Sequence, residues 1–258
     1  MKTVLITGSS SGIGLEFARL FADDHYDLVI VARREKKLIE IAQELENDFS
    51  VNVTVIPLDL VKPNASIELY NLLKGKKITI DVLINNAGFG YHGAFKETDW
   101  DKEQDMIQLN VTALTNLTKL FVNDMLERND GRILNLSSTA AFYPGPNMAV
   151  YYATKAYVQS FTEALSHEIK DTGVTVSALC PGPTDTEFQE RAGVENAALF
   201  SANMGLVATA REVAKAGYSG LMNGKTVIIP GVFNKLSAWS SGITPGFISN
   251  RVIQSLHE

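Results

Sequence analysis

The residues best suited to chemistry lie between Ser138 and Lys155. Tyr151 and Lys155 are four apart, so on a helix they share a face, separated by about 6 Å along the axis. A free phenol has a pKa of about 10 and is a poor base at neutral pH, but a neighbouring ammonium favours its phenolate. Such a pair can move a proton at a substrate oxygen. Ser138 ends the apolar stretch before this helix, where its hydroxyl could hold that oxygen. Ser137, one residue back, should face the other side of the strand. Tyr152 also shares a helical face with Lys155, so helix geometry leaves two phenols in contention. A solvated helix surface would carry the same spacing without any chemistry.

A second cluster stands near the start. Thr7-Gly8-Ser9-Ser10-Ser11-Gly12-Ile13-Gly14 follows a short apolar run and opens a helical pattern of Ile13, Phe17, Leu20 and Phe21. Glycines allow a sharp turn and let backbone N–H groups approach an anion, and a helix N-terminus favours negative charge. The spacing is GxxxGxG, not the GxGxxG of the commonest dinucleotide loop.

These residues need a frame, and the rest of the sequence supplies one. Short runs rich in Val, Ile and Leu occur at 3–7, 27–32, 51–57, 78–85, 132–137, 174–180 and 226–230. Their lack of polar alternation marks strands buried on both faces. Helical spacing fills segments between them, including 35–47, 99–126 and 151–171. Repeated strand–helix alternation predicts a doubly wound α/β architecture, a parallel sheet of about seven strands with helices on both faces. No linker or repeat divides the chain, so residues 1–258 are read as one domain. A stretch at 185–209 breaks the alternation and is expected to form a lid. The tail at 231–258 is not placed by its pattern.

Composition narrows the function. The chain has 258 residues, 23 Lys and Arg against 29 Asp and Glu, 45% hydrophobic and 20% charged residues. That is ordinary globular usage, long enough for a sizeable core. The net charge of −6, without a basic run, argues against a nucleic-acid partner. One cysteine rules out an internal disulfide framework and fits a reducing compartment. No run reads as a signal peptide or a membrane span, so the expected location is cytoplasmic. No Cys, His or carboxylate cluster has ligand spacing, so no catalytic metal is expected. Cys180 reads as a small buried residue rather than a nucleophile.

Taken in order, the motifs resemble the compact single-domain branch of the short-chain dehydrogenase/reductase family. Thr7 to Gly14 matches its TGxxxGxG loop, Asn85-Asn86-Ala87-Gly88 its NNAG element, and Pro181-Gly182 its PG element. Asn110, Ser138, Tyr151 and Lys155 match its catalytic tetrad. The resemblance runs from Thr7 to about Thr186 and is uninformative beyond. It implies hydride transfer between a nicotinamide cofactor and a carbonyl or secondary alcohol. It selects Tyr151 as general acid/base, gives Ser138 the substrate oxygen, and makes Asn110 the anchor of a water leading to Lys155. It also implies that Lys155 grips the nicotinamide ribose. The cofactor set it implies is Gly8, Ser9, Ser11, Gly12, Ile13, Gly14, Asp59, Leu60, Asn86, Ala87, Gly88, Tyr151, Lys155, Pro181, Gly182, Thr184 and Thr186. Asp59 would contact the adenine, although a loop carboxylate is an equal reading.

Cofactor choice can be read further. NAD-selective sites carry an acidic residue at the end of the second strand, about 20 residues after the loop. Here Ala32, Arg33 and Arg34 stand there. Arginines at a helix start oppose its dipole, which points to a compensating anion such as a 2′-phosphate. NADP(H) is therefore expected over NAD(H), with Arg33 the main determinant, Arg34 secondary and Ser9 adding a hydroxyl. Phe89, Tyr91, His92, Ala140, Phe142, Tyr143, Met148, Pro183 and Phe188 are the expected pocket residues. That apolar set, without Arg or Lys, suggests a small-to-medium hydrophobic carbonyl or alcohol substrate. The resemblance implies a homodimer or homotetramer, built through helices whose outer faces include Leu114, Leu117, Phe121 and Phe161, residues that could equally be core. Two rivals are a cofactor-binding sensor without turnover, and a sugar-nucleotide epimerase or dehydratase. The filled tetrad disfavours the first and the short remainder after the last strand the second.

Overall fold

A computed structural model describes residues 1–194 and 207–241. The apolar runs form β1 (Thr3–Thr7), β2 (Asp27–Ala32), β3 (Val53–Pro57), β4 (Val82–Asn85), β5 (Gly131–Leu136) and β6 (Val174–Leu179). Three two-residue strands follow: β7 (Thr184–Asp185), β8 (Ala208–Thr209) and β9 (Val227–Ile228). The helices are α1 (Gly12–Asp23), α2 (Glu35–Phe49), α3 (Ala65–Gly75), α4 (Trp100–Ile107), α5 (Leu114–Arg128), α6 (Ala149–Glu168), α7 (Phe188–Ala192), α8 (Ala210–Met222) and α9 (Val232–Ser241). Among the described residues, seven strands pair in the order β3-β2-β1-β4-β5-β6-β9, all parallel. β7 and β8 form a separate parallel pair.

Side chains alternate across a strand, so each strand serves two cores. Val4 and Ile6 of β1, with Leu28 and Ile30 of β2, face α1, α2 and α8 through Phe17, Phe21, Leu38, Leu45 and Val213. Leu5, Val29 and Val31 face α3 and α5 through Leu69, Leu73, Leu117 and Phe121. This is the expected Rossmann-type α/β sheet, covered on both sides.

Three expectations need correction. The run at 78–85 becomes a strand only at Val82. Before it, Ile80 and Asp81 are engaged elsewhere: the Thr3 backbone N–H donates to the Asp81 carboxylate at 2.7 Å and Arg128 donates to the Ile80 carbonyl at 2.9 Å. The helix expected over 99–126 is broken. Asp99 caps α4 by accepting from the Asp101 and Lys102 N–H groups, then a π-helical segment, Gln108–Ala113, intervenes before α5. Leu114, Leu117 and Phe121 are buried inside the chain and offer no subunit face. Phe161 is half-buried and stacks on the exposed Tyr157, ring centroids 5.9 Å apart.

The lid expected over 185–209 opens with the end of β7 and α7, and its central part, 195–206, lies outside the described residues. The tail expected over 231–258 opens with α9, and 242–258 lies outside them.

Candidate active site

Chain connections run from β1 to one side of the sheet and from β4 to the other. In such a sheet a crevice opens at the carboxyl ends of the two strands where the order reverses. The glycine loop leaves β1 there, and Asn86-Ala87-Gly88 leaves β4 beside it. Thr7 joins them: the N–H groups of Asn86 and Ala87 both donate to its Oγ1 at 3.0 Å. Asn86 Nδ2 donates to the carbonyls of Thr7 and Gly8 at 2.9 and 3.1 Å. A Cβ on Gly8, whose φ is +68°, would lie 2.9 Å from the Ala87 Cα, and one on Gly14 would lie 2.5 Å from the Gly8 carbonyl oxygen. Only glycine permits this approach.

A cleft of about 610 Å³ starts at this junction and extends past the ends of β5 and β6. At one end Gly8, Ser10, Ser11, Gly12 and Ile13 face Arg33, Arg34, Asp59 and Leu60. Ser11 precedes α1 without capping it through its side chain, and the first turn holds no acidic residue. The helix start that borders the cleft is thus suited to an anion such as a diphosphate. Asp59 Oδ1 accepts from the Val61 N–H at 3.2 Å, a turn role it combines with a place on the cleft wall. Ser9 departs from expectation. It is fully buried and does not line the cleft, and its hydroxyl donates to the Val31 carbonyl at 3.4 Å. Gly14 likewise packs under the loop and does not line the cleft.

The other end holds Ser138, Tyr151 and Lys155. β5 and α6 bring them together, braced by Ser137 Oγ, which donates to the Lys155 carbonyl at 2.9 Å. Ser138 Oγ accepts from the Ala140 N–H at 3.1 Å and donates to the Pro181 carbonyl at 3.5 Å, and it stands near enough to Tyr151 to favour the ionised phenol. Lys155 Nζ donates to the Leu136 carbonyl at 2.8 Å and lies 5.7 Å from the Tyr151 ring centroid. Tyr151 and Tyr152 both border the cleft, and it is the Tyr151 ring that Lys155 approaches and the Tyr151 phenol that Ser138 influences. Tyr152 packs against Gly145, where a Cβ would lie 2.3 Å from its ring.

Burial governs the electrostatics. It pushes the Tyr151 phenol up to about 12, partly offset by the Ser138 hydrogen bond, and pushes the Lys155 ammonium down to about 8. The sequence suggested that Lys155 would draw the phenol down. Desolvation of both groups dominates instead, because each loses water that favours its charged form. Tyr151 is thus a protonated acid at neutral pH.

Asn110 lies in the π segment with its amide fully engaged. Its Nδ2 donates to the Phe89 carbonyl at 2.9 Å and to Thr154 Oγ1 at 3.1 Å, while its Oδ1 accepts from the Phe89 N–H at 3.1 Å. Its side chain does not line the cleft. Gly88, Ala87, Pro181, Gly182, Thr184 and Thr186 do.

Of the expected pocket residues, Phe89, Tyr91, Ala140, Met148, Pro183 and Phe188 line the cleft. His92, Phe142 and Tyr143 do not, and the Tyr143 hydroxyl bonds Ser237 of α9 instead. Sequence reasoning missed Ser10, Lys102, Glu187 and Arg191, which join the lining together with Tyr152, the second phenol it had left in contention. Lys102 lies 4.9 Å over the Tyr91 ring, so the wall expected to lack Arg and Lys carries cations beside its apolar residues. One helical turn after the Asp99 cap was its available signal. Glu187 and Arg191 come from a stretch whose fold the pattern did not assign. Among the described residues no group of three or more metal-ligating side chains occurs, and no helix is long and apolar enough to cross a membrane.

Residues 2–197 match the family model described as short chain dehydrogenase. Sulfoacetaldehyde reductase 2 of Chromohalobacter salexigens is 36% identical over 187 residues, 72% of this chain and 73% of that protein. A short-chain dehydrogenase from Sphingobium yanoikuyae, solved in complex with NADPH, superposes with a TM-score of 0.83 at 32% identity. That match covers 94% of this chain and 95% of the other. The bulky-bulky ketone specific alcohol dehydrogenase from Comamonas testosteroni superposes with a TM-score of 0.79 at 30% identity, covering 94% and 93% of the two chains.

Proposed function

The chain belongs to the short-chain dehydrogenase/reductase family of nicotinamide-dependent oxidoreductases, and we propose that it is an NADP(H)-dependent reductase of a hydrophobic ketone or aldehyde. The observation that carries this reading is the single cleft joining an uncapped, glycine-built helix start and two arginines to the Ser138–Tyr151–Lys155 group.

When bound, the nicotinamide supplies the hydride in reduction or accepts it in oxidation. Ser138 Oγ, next to the phenol, places the carbonyl oxygen beside Tyr151. Tyr151 donates its proton to that oxygen as charge develops. Lys155, held on the Leu136 carbonyl, restores the proton to Tyr151 and reaches toward the cofactor ribose. Asn110, whose amide has no free donor, takes part through its main chain, holding a water that feeds Lys155. Gly88 keeps this path narrow: a Cβ there would lie 2.9 Å from Asn110 Oδ1 and 3.6 Å from Lys155 Nζ.

Arg33 carries the preference for NADP(H). It borders the cleft, and no ion pair among the described residues engages it. Arg34 is already tied to the glycine loop, its Nη2 donating to Ser11 Oγ at 2.9 Å and to Ser10 Oγ at 3.0 Å. The apolar wall of Phe89, Tyr91, Met148 and Phe188 supports a hydrophobic carbonyl substrate, and the ketone named for the Comamonas testosteroni enzyme fits that reading. If the chain forms a dimer or tetramer, the Tyr157–Phe161 face of α6 is the apolar surface that remains for it. A solution mass of one chain would remove that part.

The test is initial-rate assay of purified protein with NADPH and NADH against a panel of ketones and aldehydes. NADPH-dependent turnover is expected. Arg33→Ala should raise the NADPH Kd by about tenfold, the loss of a charge-assisted phosphate contact, and leave NADH nearly unchanged. Equal losses for both cofactors, or a wild-type preference for NADH, would defeat the cofactor assignment.

A further inference from the structure

Arg34 already has an anionic partner, and it comes from the opposite wall of the cleft. The Glu187 carboxylate accepts from Arg34 Nη1 at 3.1 Å and from Ser11 Oγ at 3.1 Å. It also accepts from Arg191, one turn along α7, at 2.5 Å. Glu187 is separated from Ser11 and Arg34 by more than 150 positions, so the fold alone brings it there. Burial raises its pKa, but the hydrogen bonds and charge of Arg34 with Ser11 more than offset this, and it lies below the usual carboxylate range. The carboxylate is therefore ionised at neutral pH.

The grouping is that of an anion site filled from within. One arginine fork and one glycine-loop hydroxyl bind a carboxylate where the cofactor reading places a 2′-phosphate. We infer that Glu187 determines cofactor specificity as a built-in competitor: its carboxylate holds Arg34 and Ser11 in an anion-binding arrangement and is displaced from Arg34 by the phosphate of NADP(H). The inference holds only if the 2′-phosphate is read at Arg33 and Arg34, as proposed above.

The physical case rests on charge and on what remains after exchange. A dianionic phosphate and a carboxylate on one guanidinium repel each other, so one must yield. Glu187 can yield at little cost, because Arg191, four residues on in the helix it precedes, stays beside it and keeps its charge paired. Both members of the Arg34–Glu187 bridge are about two-fifths exposed, so the bridge is weak enough to break in water. Arg34 pays little as well, since Ser10 still accepts from it through Oγ and its carbonyl. The consequence is an NADP(H) affinity held below what the two arginines alone would give. NADH has no 2′-phosphate to compete, so its affinity should be far less sensitive to Glu187.

Equilibrium titration of NADPH and NADH, by cofactor fluorescence, should be run on the wild type, Glu187→Gln, Arg34→Ala and the double variant. Glu187→Gln should lower the NADPH Kd by about fivefold, the upper range for an exposed ion pair, and change that of NADH by less than about twofold. The gain should disappear in the Arg34→Ala background and shrink as salt is raised. Unchanged or weaker NADPH binding by Glu187→Gln, with Arg34→Ala still selectively weakening NADPH, overturns the competitor role and leaves the cofactor reading standing. If neither Arg34→Ala nor Arg33→Ala alters the NADPH-to-NADH ratio, the cofactor reading itself fails, and this inference with it. A tighter hold on both cofactors alike would place the repulsion at the diphosphate and also refute it. Thermal unfolding of each variant, with Glu187→Ser as a second neutral replacement, separates binding from folding.

Discussion

At the scale of single residues, Tyr151 is the proposed proton donor, and its surroundings set its protonation state. Its phenol, pushed up to about 12 by burial, keeps its proton at neutral pH and releases it only as negative charge develops on a bound oxygen. Tyr151→Phe keeps the ring that packs 5.4 Å from Phe188 but removes the proton. Its kcat should fall by about a hundredfold or more, as for a lost general acid, while NADPH titration shows binding retained. Near-normal turnover would end the assignment. Lys155 adds a pH dependence. Burial brings its ammonium down to about 8, so it is charged below that pH and neutral above. Reductive kcat should therefore decline as pH rises through about 8, because the proton source behind Tyr151 is lost. A reductive profile that is flat across this range would show that Lys155 does not feed the phenol. Tyr and Lys at this spacing were legible in the sequence; the dominance of burial over their pKa values was not. The pull of a charge can be read from a neighbour, whereas desolvation depends on everything that excludes water.

At the scale of elements, the decisive feature is the break between α4 and α5. A uniform helix over 99–126 satisfies the periodicity, yet Gln108–Ala113 winds as π-helix with Asn110 inside it. Single-turn π segments tend to mark functional sites. Here α6 holds the segment in place: Thr154 Oγ1 accepts from Asn110 Nδ2 and donates to the Tyr151 carbonyl at 2.7 Å. Thr154→Val preserves shape but strands a buried amide proton. It should lower unfolding stability by about 1–3 kcal/mol, measured by chemical denaturation, and lower kcat more than it changes KM. A variant as stable and active as the wild type would show that this link positions nothing. Apolar spacing could not reveal the π turn, because one extra residue per turn leaves a short apolar stripe almost unaltered.

At the scale of the whole molecule, the cleft joins segments from the first strand to α7, so a bound cofactor stitches the two halves of the sheet. Ligand that binds only the folded state stabilises it by mass action, about 2.7 kcal/mol at a hundredfold excess over Kd. NADPH should raise the melting temperature more than NADH at equal concentration, and Arg33→Ala should reduce that difference. A larger shift with NADH would contradict the cofactor reading. The strands, the two-sided burial and the order of the motifs followed from the sequence alone, because each depends on periods of a few residues and on side chains that only one environment suits. Gly8 and Gly14 were legible for the same reason: local backbone demands glycine. Tertiary structure alone decided that Lys155 lies over the Tyr151 ring, and that Ser9 is buried while Ser10 and Ser11 face the cleft. It also decided that Leu117 and Phe121 belong to the core and that Glu187 reaches across to Arg34. Each of these depends on which distant segment arrives opposite a residue, and a linear pattern carries no record of what stands across a cleft.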